Sequence, residues 1–402
     1  MQRIYELVLQ DHFKQYNKML FLAGPRQVGK TTTAQIVAKL FDNSVYLNWD
    51  NDNHREIILQ GPLTIAQKFA LHKLQQQKQL LIFDEIHKYF RWKNFLKGFY
   101  DTYQAQTNIL VTGSAKLDIL RKGGDSLMGR YFLYRMHPCS VAELLDLKLS
   151  NSEIQPPKEI STYLFNNLFE FSGYPEPLVH AKRRFYNRWR LLAKQNLLKE
   201  DLRDLYRIQD LSRVELLATI LSNQIGQLFN ANKIATQIQI SPHTVSSWLN
   251  ILSSFYYCFT VKPWFKNINR SLRKQPKIYL WNWAEAKNIG ARYENFIASH
   301  LLKAVHYWTD SGFGEYQLYF LRDKDQREVD FLVTKNNQPW FLVEAKYSET
   351  QILSSQLKYF QQQTQAAHAF QVVCDLPYVN SDCFQYHDPT IVPAKTFLAQ
   401  LV

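Results

Sequence analysis

Glycine is scarce in this chain: 13 residues in 402, under half the roughly 7% of an average protein. Two of them nevertheless stand five positions apart, Gly24 and Gly29, within GPRQVGKTT at 24–32. Cysteine is scarcer still. Cys139, Cys258, Cys374 and Cys383 form no CxxC pair and have no adjoining histidine set. That excludes a readable zinc site or disulfide framework and predicts reduced thiols in a cytoplasmic protein. No apolar run approaches the roughly 18 residues that span a bilayer. The opening MQRIYELVLQDHF breaks its apolar residues with Arg3, Glu6 and Asp11, so neither a membrane span nor a secretory leader is expected. Acidic residues are outnumbered 35 to 48, and the net charge of +13 points to an anionic partner, nucleic acid or nucleotide.

Apolar material is plentiful. With 46% hydrophobic residues in 402, and domains of roughly 100–200 residues each, the chain implies two or three cores. KMLFLAG (18–24), SVYLNWD (44–50), QLLIFDE (79–85), NILVTGS (108–114) and RYFLYRM (130–136) are short strand-like runs separated by stretches long enough for crossover helices. They predict an α/β nucleotide-type domain with a parallel sheet over 1–150. The polar, proline-bearing LSNSEIQPPKEIS (149–161) reads as a linker, and a helical connector is expected over 151–225.

Gly24, Gly29, Lys30 and Thr31 satisfy the phosphate-loop pattern G-x-x-x-x-G-K-[ST], directly after a strand and directly before the helical TTTAQIVAKLF (31–41). The chemistry needs these residue types. Glycines let the backbone of Gly24, Pro25, Arg26, Gln27, Val28 and Gly29 wrap until its N–H groups face phosphate, and the helix start at Lys30, Thr31 and Thr32 adds partial positive charge. Lys30 reaches the β and γ phosphates, and Thr31 offers a hydroxyl to Mg²⁺. In LLIFDEIHK, Asp84 and Glu85 close a strand at the sheet edge where ligands bind. Asp84 is placed to hold the metal's water shell and Glu85 to polarise the attacking water. The next strand ends with Thr112 and Ser114, either of which could sense the γ-phosphate or orient water.

Further along, NANKIATQIQISPHTVSSWLNILSSF (230–255) has the cadence of a helix-turn-helix, with Ile234, Ala235, Val245, Trp248 and Leu249 as a common core and Ser241 as the second helix's cap. Two strand-like runs, YYCFTVKPW and KIYLWNW, flank the basic FKNINRSLRKQP (265–276). Together they predict a winged helix-turn-helix over 226–290, with Arg270, Arg273, Lys274 and Lys277 able to meet phosphates, or a module for a protein partner. The basic helix KRRFYNRWRLLAK (182–194) reads as a solvated face with Phe185, Trp189 and Leu192 turned inward, or as a backbone-tracking surface with Tyr186 and Trp189 interleaved.

The segments GPRQVGKTT, LLIFDEIHK, ILVTGSAKLDIL, GDSLMGRYFLYRMHPCSVAELL and FSGYPEPL resemble the bacterial and archaeal AAA-type ATPases that carry a C-terminal domain of unknown function. The resemblance covers nearly the whole chain and implies ATP and Mg²⁺ as ligands. It matches Pro25 and Arg26 to the family's loop and Gly129 and Arg130 to its Gly-Arg pair. Arg130 is then implied as a charge-stabilising arginine near the γ-phosphate, from its own or a neighbouring subunit.

Residues 291–402 read as α-β-β-β-α-β. Asp330 and Glu344 fall on adjacent strands joined by KNNQP, with Lys346 on the face of Glu344. This is similar to the PD-(D/E)XK restriction-endonuclease-like core. The similarity implies Mg²⁺ held by Asp330, Glu344 and the Ala345 carbonyl, Lys346 acting on a bound water, and Glu294 completing the site. Two functions follow: an ATPase whose nucleotide state controls engagement or cutting of nucleic acid, or an ATP-driven switch for a protein partner with a non-catalytic nuclease-like scaffold.

Overall fold

The structure, a computed structural model, describes residues 1–71, 77–113, 127–197, 210–265, 275–348 and 352–402. Ser114, Arg270, Arg273 and Lys274 lie outside them. The chain forms two compact units, Met1–His137 with Leu147–Leu149, and Pro138–Asp146 with Ser150–Val402. Among the described residues, no helix is long and apolar enough to cross a membrane.

In the first unit, α1 (Ile4–Gln15), β1 (Met19–Ala23), α2 (Lys30–Ala38), β2 (Ser44–Asn48), α3 (Asp52–Leu59), α4 (Pro62–Lys68), β3 (Gln79–Asp84), α5 (Trp92–Tyr103), β4 (Thr107–Gly113) and β5 (Tyr131–Arg135) follow one another. The sheet order is β2-β3-β4-β1-β5, every pair parallel. A parallel sheet is covered on both faces, so its central strands read as unbroken apolar runs; each residue of β1 and of β3 is buried. Phe21, Phe83, Val111 and Leu133 pack with Trp92, Phe95, Leu96 and Phe99 of α5, whose apolar positions recur at helical spacing. The register aligns Asn48 with Asp84, Asp84 with Thr112 and Thr112 with Leu22. This row stands near the carboxyl edge, its β1 member Leu22 two residues before Gly24 of the phosphate loop.

The second unit continues with α6 (Val141–Leu145), α7 (Thr162–Phe171), α8 (Pro175–His180), α9 (Arg183–Gln195), α10 (Leu211–Asn223), α11 (Ala231–Ile238) and α12 (Pro242–Ser254). Then come β6 (Cys258–Pro263), β7 (Lys277–Leu280), α13 (Ile289–Asp310), β8 (Tyr316–Arg322), β9 (Glu328–Lys335), β10 (Gln338–Lys346), α14 (Ser355–Thr364), β11 (His368–Val373), β12 (Thr390–Pro393) and α15 (Ala394–Ala399). The α-β-β-β-α-β order expected after residue 290 is present and is extended by β12 and α15. Residues 138–146, expected in the first domain, belong to this unit, where Glu143 and Lys303 form a buried ion pair.

Ser241 caps α12 by accepting the Thr244 N–H at 3.0 Å, and Gln239 in the left-handed region turns the chain between α11 and α12. Ile234, Ala235, Val245 and Leu249 are buried as expected, and Trp248 is half-buried. On α9 the apolar stripe is Tyr186 and Trp189, whereas Leu192 is 57% exposed. Tyr186 takes the inward position because it lies three residues before Trp189, on the same helical face.

The sheet runs β12-β11-β10-β9-β8-β6-β7. β6 and β7 thus join the C-terminal strands instead of forming a sheet of their own: β6 runs parallel to β8 through Lys262–Tyr319 and Pro263–Phe320, and β7 is antiparallel to β6 at the edge. The β9–β10 turn places Asn336 and Asn337 at φ 51° and 64°, the two left-handed residues a tight hairpin requires and asparagine tolerates. That turn sets Asp330 and Glu344 on neighbouring strands.

Candidate active site

The phosphate loop is shaped by its glycines. A Cβ on Gly24 would stand 2.3 Å from the Met136 carbonyl oxygen, because Met136 donates its N–H to the Ala23 carbonyl at 2.7 Å. Gly29, at φ 105°, is the N-cap of α2, a left-handed position that suits glycine. Gln27 also lies in the left-handed region at φ 59°. Pro25 and Val28 are buried, Arg26 is half-buried, and Gln27, Thr31 and Thr32 are exposed. Lys30 is buried, its ammonium donating to the Gly24 and Pro25 carbonyls at 2.8 and 2.6 Å.

Asp84 gathers three hydroxyl donors: Thr31 at 2.9 Å, Tyr46 at 2.6 Å and Thr112 at 2.5 Å. Thr112 is fully buried and its hydroxyl donates to Asp84, whereas Ser114, the other residue offered for the γ-phosphate, lies outside the described residues. Tyr46 was not foreseen. It sits on β2, and only the pairing of β2 with β3 brings it to Asp84. Glu85 follows at φ 56°, a strained position for a non-glycine residue. Its Oε2 is buried without a hydrogen-bond partner, 3.5 Å from His87 Nε2 and 3.8 Å from Lys88 Nζ. Burial raises the Glu85 carboxyl above the usual range, against the opposing pull of Lys30 and Lys88.

Arg3 was also missed. From the N-cap of α1 its buried guanidinium donates to the Val28 carbonyl at 2.5 Å and to the His137 carbonyl at 2.6 Å. It ties the phosphate loop to the end of the strand segment that leaves this unit. Arg130, in contrast, precedes β5, and Met19 donates its N–H to the Arg130 carbonyl. It therefore lies at the amino edge of the sheet, the full length of β1 from the phosphate loop, paired with Asp101 at 2.7 and 3.0 Å. A role at its own chain's γ-phosphate is thus corrected; parallel strands fix both residues to opposite edges.

An oxygen-seeking divalent ion fits the first site, since Mg²⁺ takes one or two protein oxygens and keeps waters, and Thr31 Oγ1 with Asp84 supplies such a pair within hydrogen-bond distance.

The second carboxylate group lies in the other unit. Asp330 accepts the Ala345 N–H at 3.0 Å, and Lys346 donates to Glu344 at 2.8 Å. The predicted Asp330, Glu344, Lys346 and Glu294 set is therefore brought to one place. Lys277 is not a phosphate-facing wing residue: it is 3% exposed, with its amine 2.6 Å from Glu328, 3.3 Å from Glu294 and 3.5 Å from Asp330. Burial pulls the Lys277 amine down, but Glu294, Asp330 and Glu328 outweigh it and hold it above the usual lysine range. Burial, with the Asp330 charge, pushes both Glu294 and Glu344 up to about 7.

Glu344 Oε2 has no hydrogen-bond partner, so its charged form is disfavoured in the fold. A raised carboxylate contributes stability below its unfolded pKa that is lost as pH rises through the folded value. Glu344→Gln is accordingly expected to melt above wild type at pH 8, by about 1–3 kcal/mol at roughly 1.4 kcal/mol per pKa unit, and level with it at pH 5. A difference of equal size at both pH values in thermal melts would refute the assignment.

Residues 16–145 match the model of an AAA domain, residues 162–284 match a domain of unknown function, DUF8612, and residues 289–385 match another, DUF4143. An uncharacterized protein of Mycobacterium tuberculosis is 22% identical over 355 residues, 85% of this chain and 73% of that protein. Another, of Methanocaldococcus jannaschii, is 22% identical over 289 residues, 65% of this chain and 60% of that one. Among solved structures, AMPPCP-bound DnaA from Aquifex aeolicus is similar with a TM-score of 0.33 and 13% identity over 61% of this chain and 86% of that chain. C. elegans PCH-2 is similar with a TM-score of 0.29 and 16% identity over 48% and 67%.

Proposed function

We propose that the chain, whose residues 16–145 match the model of an AAA domain, is a Mg²⁺-dependent ATP hydrolase whose nucleotide state controls its second unit, and that this unit engages nucleic acid. The carrying observation is the convergence of Thr31, Tyr46 and Thr112 on Asp84 beside a buried, under-bonded Glu85. Lys30 exchanges its loop carbonyls for phosphate oxygens and so reports nucleotide directly. Asp84, oriented by Tyr46 and Thr112, holds the metal side of the site together with Thr31. Mg²⁺, when bound, offsets the charge that builds on the phosphate oxygens. Glu85 accepts a proton from the attacking water, and its raised pKa makes it a stronger base once ionised.

Control of the second unit is supported by Arg3. One guanidinium spans Val28 in the loop and His137, the residue at which the chain passes to Pro138 and the second unit. A shift of Val28 relative to His137 on phosphate binding would break or lengthen one of those two bonds. Engagement of nucleic acid is supported by the +13 charge and by α9 with its N-cap, where Lys182, Arg184 and Arg188 are exposed. The first turn of that helix carries basic residues and no acidic one, the reverse of what the helix dipole favours, which concentrates positive potential at one end.

The test is to measure ATP turnover and duplex binding by the purified chain at about 50 mM salt, with and without ATP. Binding is expected to change with nucleotide, and replacing Arg184 and Arg188 by Ala is expected to flatten the salt dependence by about 0.9 per lost contact. No binding to duplex or single strands, with ATP turnover intact, would move the second unit to a protein partner.

A further inference from the structure

The carboxylates of the C-terminal sheet stand where the restriction-endonuclease-like resemblance implies a divalent metal ion, but the geometry does not fit one. We propose that the Lys277 ammonium is a built-in cation on the Asp330 and Glu294 side of this site, standing where a divalent ion would bridge those two carboxylates, so that the second unit carries a polar clasp there and cuts no phosphodiester bond. Lys277 begins β7, in which all four residues are buried. A lysine usually threads its amine out to water, but this one is enclosed on an edge strand and turned toward Glu294 of α13 and Glu328 and Asp330 of β9. Its amine also lies 5.6 Å over the Phe320 ring, which closes another side.

Each carboxylate already has a partner, Glu344 through Oε1 alone. Glu294 accepts the Tyr279 hydroxyl at 2.7 Å, Glu328 pairs with Arg322 at 3.0 Å, Asp330 accepts the Ala345 N–H and Glu344 holds Lys346. Gly226, at φ +74°, presses its backbone against Glu294, so that a Cβ there would stand 2.7 Å from Oε2. Glu294 is thereby packed in place. A divalent ion between Glu294 and Asp330 would set a second cation beside the buried ammonium and strip it of two of its three carboxylate partners, leaving Glu328 alone, and loss of partners by a buried charge is strongly destabilising. Among the described residues, no three His, Cys, Asp or Glu side chains form a group that could hold a metal ion. The clasp instead fastens edge strand β7 to α13 and β9.

The test is a Mn²⁺ titration of the nucleotide-free full chain by electron paramagnetic resonance, comparing wild type with Asp330→Asn, together with a cleavage assay on single- and double-stranded DNA and RNA. The two proteins are expected to bind the same number of Mn²⁺ ions, and neither to cut. One Mn²⁺ site lost in Asp330→Asn, or cleavage that Asp330→Asn abolishes, overturns the proposal, whatever the outcome for ATP turnover. Lys277→Met is expected to melt several degrees lower in chelator and to gain one Mn²⁺ site that a second change, Asp330→Asn, removes. A folded Lys277→Met that takes up no Mn²⁺ also overturns it; if that variant does not fold, the wild-type titration decides.

Discussion

Glu85→Gln is expected to bind Mg²⁺ and ATP as wild type does and to turn ATP over about 10²–10⁴ times more slowly, the range a positioned general base contributes. Glutamine keeps the size and one acceptor oxygen but cannot take a proton. Binding is spared because Glu85 is not among the groups that meet phosphate: Lys30 and the loop backbone are, and Asp84 with Thr31 serves the metal. The residue's setting fixes the pH profile as well. Burial raises its carboxyl, so the active, ionised form is lost as pH falls through a value above the ordinary glutamate range, and the acid limb of kcat/KM should sit there. Single-turnover hydrolysis and nucleotide affinity measured on both proteins decide it; equal turnover removes Glu85 from the mechanism, and a parallel loss of affinity recasts it as a binding residue.

What the sequence allowed to be read follows from how far apart the cooperating residues lie. The phosphate loop was legible because its chemistry demands glycine, lysine and a hydroxyl at fixed short spacing, and Asp84 because a parallel strand delivers its last residues to the ligand edge. Asp330, Glu344 and Lys346 were legible from the alternation of two strands and one turn. Arg3 and Tyr46 were not. Arg3 reaches Val28 and His137 across 25 and 134 positions, and Tyr46 reaches Asp84 across 38; both contacts are created by sheet order, which no local pattern encodes. Lys277 misled for the same reason. Next to FKNINRSLRKQP it looks like one more surface cation, and only the docking of β6 on β8 carries β7 inward and turns its first residue to the carboxylates. Arg130 was placed near phosphate by resemblance, but the parallel register with β1 puts the residue before β5 at the far edge.

Lys30→Ala is expected to weaken Mg²⁺-ATP binding by roughly 10- to 10³-fold. The magnitude is a difference, because the ammonium is not idle without nucleotide: it donates to the Gly24 and Pro25 carbonyls at 2.8 and 2.6 Å. The ammonium already makes charged hydrogen bonds to these carbonyls, worth about 1.5–3 kcal/mol each, and what phosphate adds is the attraction of an opposite charge, about 1 kcal/mol at 4 Å in bulk water and about 4 kcal/mol near a protein surface. Trading two carbonyls for two phosphate oxygens therefore gains on the order of 1–4 kcal/mol, at about 1.4 kcal/mol per tenfold in affinity. The substitution also leaves those two loop carbonyls without their donor, so the free protein should melt lower, and the rise in melting temperature that saturating ATP gives wild type should shrink with the lost affinity. Lys30→Arg is not expected to restore binding, since a rigid guanidinium fork cannot replace a compact ammonium in a buried pocket of carbonyls. The readout is the dissociation constant of Mg²⁺-ATP by calorimetry alongside the melting temperature without nucleotide: an unchanged constant would mean that the loop binds phosphate through its backbone alone, and an unchanged melting temperature that the two carbonyls find water instead.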